Sequence, residues 1–388
     1  MTVSLERAGA VLTVDLGAIV SNWRLLRAKL GNTACAAVVK ADAYGLGAAE
    51  VAGVLAEAGV RSFFVAHPGE GIALRGALGG DARIFVLNGT PAGTEVDFAA
   101  ADLVPVINSL AELSAWRKHA AAAGRPIDVA LQLDSGMSRL GLPSRDVAAI
   151  ADDWTRLEGL RIKLVMSHLA CADEPRHPAN EAQLREFNRL RAMLPPAPAS
   201  LANSSGIFLG RSFHFDLARP GAALYGINPT PSAENPMRPV VRLSARVIQI
   251  RDVPTGTGIG YGHAASAGRA SRLATISIGY ADGWPRNAPA HAFFRGSRLP
   301  FAGRVSMDSI VLDLTDCAIQ PREGELVDLI CEEQSIDDVA EAAGTIGYEI
   351  LTRLGRRFHR RYVHAEPVIE QPDRAPPYDR MMPTVAIQ

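Results

Sequence analysis

The chain has 388 residues, more than a single hydrophobic core usually serves, so two domains are the expectation. Apolar residues make up 48% of it and charged residues 21%, which argues against disorder, collagen-like repeats and mucin-like stalks. Lys plus Arg number 40 against 41 Asp plus Glu, so the net charge of −1 provides no overall field for nucleic acid, and a small-molecule partner is indicated.

In chain order, the N-terminus (MTVSLERAGAVLTVDL) mixes acidic and basic residues early and has no apolar leader core. No run of about 18 apolar residues follows anywhere, which excludes a membrane helix. From residue 34 to 235 short β-type runs alternate with amphipathic helical stretches. Strands are predicted at 34–39, 62–66, 83–87, 103–107, 128–133, 162–167, 198–202 and 213–218, with helices at 47–58, 109–123 and 177–193. Eight such units suit an α/β fold of the (β/α)8 TIM-barrel type, although a doubly wound sheet would alternate in the same way. The barrel domain is expected to span 10–235. A Pro-rich link (NPTPSAENPMRP) then leads into runs such as VVRLSARVIQI and RLATISIGY, which read as a mainly antiparallel β domain over 236–388. Late helices are predicted at 336–343 and 346–354, and the tail from about 369 is expected to lie extended. Cys35, Cys171, Cys317 and Cys331 are far apart, with no CxxC pair and no metal-ligand spacing, so reduced thiols and a cytoplasmic location are expected.

In such a barrel the active site is built at the carboxyl ends of the strands. There the sequence places Lys40 after strand one, Asp134 and Arg139 after strand five, His168 after strand six, Asn203 and Ser204 after strand seven, and Arg219 after strand eight. One amine, one imidazole and two guanidiniums around one mouth point to an anionic ligand and proton transfer. Lys40 is one of only four lysines, beside Lys29, Lys118 and Lys163, in a chain whose other basic residues are arginine. An amine ending a buried strand is partly desolvated, which suits Schiff-base chemistry, but the position equally suits a lysine snorkelling to the rim. Arg219-Pro220-Gly221 and Asn203-Ser204-Ser205 occupy the usual phosphate-binding loops of this barrel, and an R-P-G triplet is just as often a plain turn. Taken alone, His168 also reads as a satisfied histidine, and Tyr261 as an exposed aromatic in a Gly-rich turn.

The segments AVVKADAYGLG, DSGMSRLGL, SHLACADE, ANSSG, RPGAALYG, GIGYG, SIGYADG, GRVSMD and GYEILTRLGRR, in that order over residues 34–357, resemble the bacterial alanine racemases, fold-type III enzymes using pyridoxal 5'-phosphate. The resemblance implies interconversion of L- and D-alanine by two bases. Lys40 would be the Schiff-base lysine acting on the D enantiomer, and Tyr261 the base for the L enantiomer. It further implies that Arg219 bonds the pyridine nitrogen of the cofactor and that His168 links Arg219 to the tyrosine. Tyr44, Asn203, Ser204, Gly221, Ala222 and Tyr348 would surround the cofactor. Arg139 would lie near its phenolic oxygen and the substrate carboxylate. Met307 and Asp308 would line the substrate end from the other subunit of a head-to-tail homodimer, with Asp173, Arg286, Arg304 and Tyr280 about the entry corridor. The family's work lies in D-alanine supply to peptidoglycan or in D-alanine catabolism. The chain departs from the family at Gln132, where many members carry a carbamylated lysine; a neutral amide supplies no negative charge there. Competing readings are a broader amino-acid racemase acting on serine, a decarboxylase of the same plan, a pyridoxal phosphate homeostasis protein, and a cofactor-free Schiff-base aldolase. The last leaves Arg219 and the Ser204 region unexplained, and a homeostasis protein normally lacks a second domain.

Overall fold

The structure, a computed structural model, describes residues 3–364. Its first half is a ring of short parallel strands. Ala37–Val38, Ser62–Val65, Arg83–Val86, Leu103–Ile107, Ile127–Gln132, Leu160–Met166 and Ala199–Ser200 form a seven-stranded parallel sheet. Leu217–Ala218 pairs in parallel with Ala34–Cys35, immediately before the first of these. Asp216 N–H donates to the Ala199 carbonyl at 3.0 Å and Arg219 N–H to Ala202 at 2.9 Å, which joins the last strand to the seventh. Strands covered on both faces should be apolar throughout, and Ser62–Val65 (SFFV) is buried at every position.

The helices outside the ring carry their own boundary signals. Leu110–Ala123 begins at Ser109, whose hydroxyl accepts the Glu112 N–H, and ends at Gly124 in the left-handed region. Ala48–Ala58 and Pro178–Arg191 fall within a residue or two of the expected helices. The predicted eighth strand is shorter than its apolar run: Arg211–Phe213 forms a 3-10 turn, and only Leu217–Ala218 is strand.

The second half is organised by one long strand, Val241–Val253, which pairs antiparallel with Ser271–Ile276 and Leu326–Ile330. One expectation fails here. Residues 10–15 were assigned to the barrel, but Ala10–Asp15 lies in this second sheet, antiparallel to Val241–Ala245 and parallel to His359–Val363. The physical reason is that a strand reports its burial in sequence but not its partner: AVLTVD is apolar enough for either sheet. Helix Leu16–Leu30, capped by Asp15, then carries the chain into the barrel. The late helices are Ile336–Ala343 and Gly347–Arg353; the tail from about 369 lies outside the described residues. No described helix is long and apolar enough to cross a membrane.

Candidate active site

A cavity of about 450 Å³ opens at the carboxyl ends of the barrel strands. Lys40, Tyr44, Arg139, His168, Asn203, Ser204, Arg219, Gly221, Ala222 and Tyr348 all line it.

Lys40 sits where the first barrel strand stops, at the start of a turn over Lys40–Gly45. Burial, reinforced by the Arg139 charge, lowers its amine pKa from the ordinary lysine value, while Glu70 opposes that shift. An amine so shifted is a better nucleophile and a readier base at neutral pH.

Arg219 is 4% exposed, at the floor of the cavity. One of its terminal nitrogens donates to Ser200 Oγ and the other to the Ser167 carbonyl at 2.5 Å. Ser200 in turn donates to the Leu217 carbonyl, so the guanidinium is tied across three neighbouring strands. It also lies 5.9 Å from the Phe64 ring centre. Burial pushes its pKa down to about 9, which still leaves it charged at neutral pH. His168 is held strongly neutral: burial first, then Arg219, Arg139 and Lys40, push its pKa down to about 3. With one ring nitrogen protonated and the other free, it can both donate and accept.

The turn at Ser204 and Gly221 is built to meet an anion. Ser204 Oγ accepts the N–H groups of Gly221 (3.0 Å) and Ala223 (3.2 Å). Both lone pairs are then occupied and the hydroxyl proton remains to be donated. A Cβ at Gly221 would stand 2.5 Å from Tyr44 Oη and 3.2 Å from Val38 Cβ, so only glycine lets the tyrosine lie against this backbone. Tyr44 is held between Tyr225 and Tyr348, with ring centres at 4.7 and 6.0 Å, and Tyr225 Oη donates to the Val38 carbonyl at 2.8 Å. Burial raises the Tyr44 pKa, and raises that of Tyr348 to about 12, so both are phenols that can donate.

Other sequence candidates lie elsewhere. Asp134 does not line the cavity. Its Oδ1 accepts the N–H groups of Gly136, Met137 and Ser138 at 3.0–3.1 Å, shaping the loop that carries Arg139. Tyr261 is 71% exposed on a turn over Tyr261–His263, and Met307 is 52% exposed; neither, nor Asp308, lines this chain's cavity. Asp308 instead accepts from Arg357 at 2.8 Å, and Arg357 also bonds buried Asp282 at 2.7 Å. Asp173 lines a separate surface hollow beside His177, and Tyr280, Arg286 and Arg304 are exposed. Gln132 is buried, with its backbone carbonyl accepting Leu142 N–H at 2.8 Å.

Sequence reasoning missed the wall supplied by Ile346, Glu349 and Thr352, beside Tyr348. The i, i+4 spacing of 348 and 352 on one helix face was the available signal. It also missed Ser200, which looks like any small strand residue until its bond to Arg219 is seen.

A barrel mouth lined by a desolvated amine, a serine-capped glycine turn and a buried guanidinium defines a two-domain α/β-barrel protein whose cavity is fitted to an anionic ligand. Residues 14–229 match the family model described as alanine racemase, N-terminal domain, and residues 240–362 that described as alanine racemase, C-terminal domain. The chain is 61% identical over 364 residues to a catabolic alanine racemase of Mesorhizobium japonicum, covering 93% of this chain and 95% of that one. It is 49% identical over 359 residues to a catabolic alanine racemase of Agrobacterium fabrum, covering 92% of each. The crystal structure of alanine racemase from Bartonella henselae with covalently bound pyridoxal phosphate superposes with a TM-score of 0.89 at 42% identity, covering 92% of this chain and all of that one. The chain belongs to the alanine racemase family.

Proposed function

We propose that this chain interconverts L-alanine and D-alanine with pyridoxal phosphate held in the barrel cavity, Lys40 and Tyr261 serving as the two bases. The observation that carries the reading is the joining of Lys40, Arg219, His168, Arg139 and the Ser204–Gly221 turn in one cavity of about 450 Å³. The donor set fits the cofactor: an amine for its aldehyde, the Ser204 hydroxyl with the Gly221 and Ala222 backbone for its phosphate, and a guanidinium for its ring nitrogen. When bound, it supplies a carbonyl that captures the substrate amine and a conjugated ring that takes up the electron pair released at the α-carbon.

Lys40, with its lowered pKa, takes or returns the α-proton on the face it occupies, that of the D enantiomer. Arg219 would hold the ring nitrogen as a donor that keeps its proton, a guanidinium in place of an acid, which would disfavour transamination. Neutral His168, near enough to Arg219 for that charge to lower its pKa, would link it to the second base. Arg139 meets the substrate carboxylate. Asn203, Tyr44 and Tyr348 complete the cofactor's surroundings.

The second base must stand on the face opposite Lys40. Tyr261 is exposed and lies outside that cavity, which supports a head-to-tail homodimer in which Tyr261, Met307 and Asp308 of a second copy close the mouth. The division near residue 235 separates the half that holds the cofactor from the half that delivers these residues. Gln132 leaves Arg139 without a carbamate partner. Four free, dispersed thiols support a cytoplasmic location.

The test is chiral analysis of products from L- and D-alanine and from a panel including serine, with and without added cofactor. Equal interconversion of the alanine enantiomers is expected; release of carbon dioxide and an amine, or no interconversion, would overturn the reading.

A further inference from the structure

Directly after Lys40 the backbone does something rare. Ala41, Asp42, Ala43 and Tyr44 have φ values of 54, 56, 52 and 57° and ψ values of 45, 48, 51 and 35°, a complete left-handed turn without a glycine. Single L residues visit this region; runs of four do not, because each Cβ crowds the following carbonyl. Such a conformation persists only where its surroundings impose it. The far end of the turn is well held: Asp42 Oδ1 accepts Ala48 N–H at 2.8 Å, Tyr362 Oη donates to the Leu46 carbonyl at 2.9 Å, and Arg360 donates to the Gly45 carbonyl.

At the Lys40 end the work falls to Glu70. Its Oε2 accepts the N–H groups of Ala66 (2.7 Å) and His67 (3.0 Å), as a residue capping its own helix, Pro68–Leu78, would do. Its other oxygen crosses to the first barrel strand and accepts Ala41 N–H at 2.6 Å, the shortest of the three bonds. Among the described residues, no other bond is made by that N–H. The carboxylate thus locks the end of the second barrel strand to the peptide that leaves Lys40.

We propose that Glu70 is a positioning residue: by holding Ala41 N–H it sustains the left-handed turn and fixes the direction of the Lys40 side chain into the cavity. This rests on the reading of Lys40 as the amine that holds the cofactor. Glutamine cannot replace Glu70, because an amide has one accepting oxygen, and its NH2 would face either Ala41 N–H or the 66–67 pair.

The experiment compares wild type, Glu70→Gln and Glu70→Gln/Ala41→Gly as full-length holoenzymes. Borohydride fixation and peptide mass first locate the cofactor in wild type; a label on any lysine other than Lys40 overturns the underlying reading, whatever Glu70 does. Glu70→Gln should lower kcat for alanine by about 10- to 100-fold with KM within about threefold, since a misaimed base costs rate rather than ground-state binding. It should also release cofactor to an excess of hydroxylamine roughly tenfold faster than wild type. Glycine adopts the left-handed region without a steric cost, so Ala41→Gly should restore most of both losses. Unchanged kcat and release in Glu70→Gln, a loss confined to KM, or a loss that Ala41→Gly does not restore would each overturn the proposal, the last by assigning the effect to the helix cap. Should Glu70→Gln not fold, Glu70→Asp carries the same predictions, since its shorter stem can cap residues 66 and 67 but does not reach Ala41.

Discussion

Gly221→Ala is the sharpest perturbation of the anion end of the cavity. The new Cβ would lie 2.5 Å from Tyr44 Oη, 3.2 Å from Tyr44 Cζ and 3.2 Å from Val38 Cβ. Ordinary carbon contact begins near 3.5 Å, so the phenol oxygen must retreat by about 1 Å. It has little room to do so, because Tyr44 is 7% exposed and its ring lies in tilted contact with those of Tyr225 and Tyr348. Overpacking of this kind costs about 1–3 kcal/mol; the cofactor-free protein can relieve it by moving Tyr44, whereas binding requires Tyr44 in place, so at 1.4 kcal/mol per factor of ten the cofactor should bind more weakly by up to roughly 5- to 150-fold. Equilibrium dialysis of the holoenzyme against known free pyridoxal phosphate measures that change. Tyr44→Phe removes the closest atom but leaves both 3.2 Å contacts, so in the double variant part of the loss should return, with a coupling of about 0.5–1.5 kcal/mol in a double-mutant cycle. Wild-type affinity in Gly221→Ala, or strict additivity of the two changes, would refute the argument that a missing side chain shapes this end of the site.

Tyr261→Phe should cut racemisation by roughly 10²- to 10⁴-fold while the α-proton of D-alanine still exchanges in D2O; retention of exchange from L-alanine instead would reverse the assigned faces. Mixed dimers of Tyr261→Phe and Lys40→Ala subunits should regain one working site, and no recovery despite proven exchange would place both bases in one chain. His168, whose folded pKa of about 3 lies below its ordinary value of 6.5, binds its proton in the unfolded chain first. Its contribution to stability is therefore complete above pH 6.5 and lost as pH falls from 6.5 toward 3, at up to about 1.4 kcal/mol per pH unit. Denaturant midpoints across that range should be less acid-sensitive in His168→Asn, and identical slopes would refute the buried neutral imidazole. Activity should not respond to added bicarbonate, since Gln132 cannot carry a carbamate; a mass increase of one carbamate on a lysine near Arg139 would contradict this.

The barrel was legible because its signal is local. Strands buried on both faces must be apolar along their length, and helices between them announce their ends through residues such as Ser109 and Gly124. The site was legible for a related reason: the residue that follows each strand faces one mouth whatever the details of packing, so Lys40, His168, Ser204 and Arg219 could be grouped from strand ends alone. Ala10–Asp15 was misassigned because hydrophobic period specifies that a strand is covered, while its partners, here 227 and more residues away along the chain, are chosen by the assembled sheets.

Residue identity and order were therefore enough for the α/β class, the second β-rich half and the chemical types gathered at the barrel mouth, because each follows from short-range burial patterns and strand direction. Tertiary structure alone decided how those groups are tuned. The neutrality of His168 comes first from its desolvation in the cavity and then from three nearby cations, and the placing of Arg219 comes from hydroxyl and carbonyl groups on neighbouring strands. The left-handed turn after Lys40 contradicts the local preference of Ala41, Asp42, Ala43 and Tyr44, and it stands because Glu70, Tyr362 and Arg360, distant in sequence, hold it there. Local propensity is a sum over neighbours in the chain, whereas electrostatic tuning and imposed strain depend on neighbours in space.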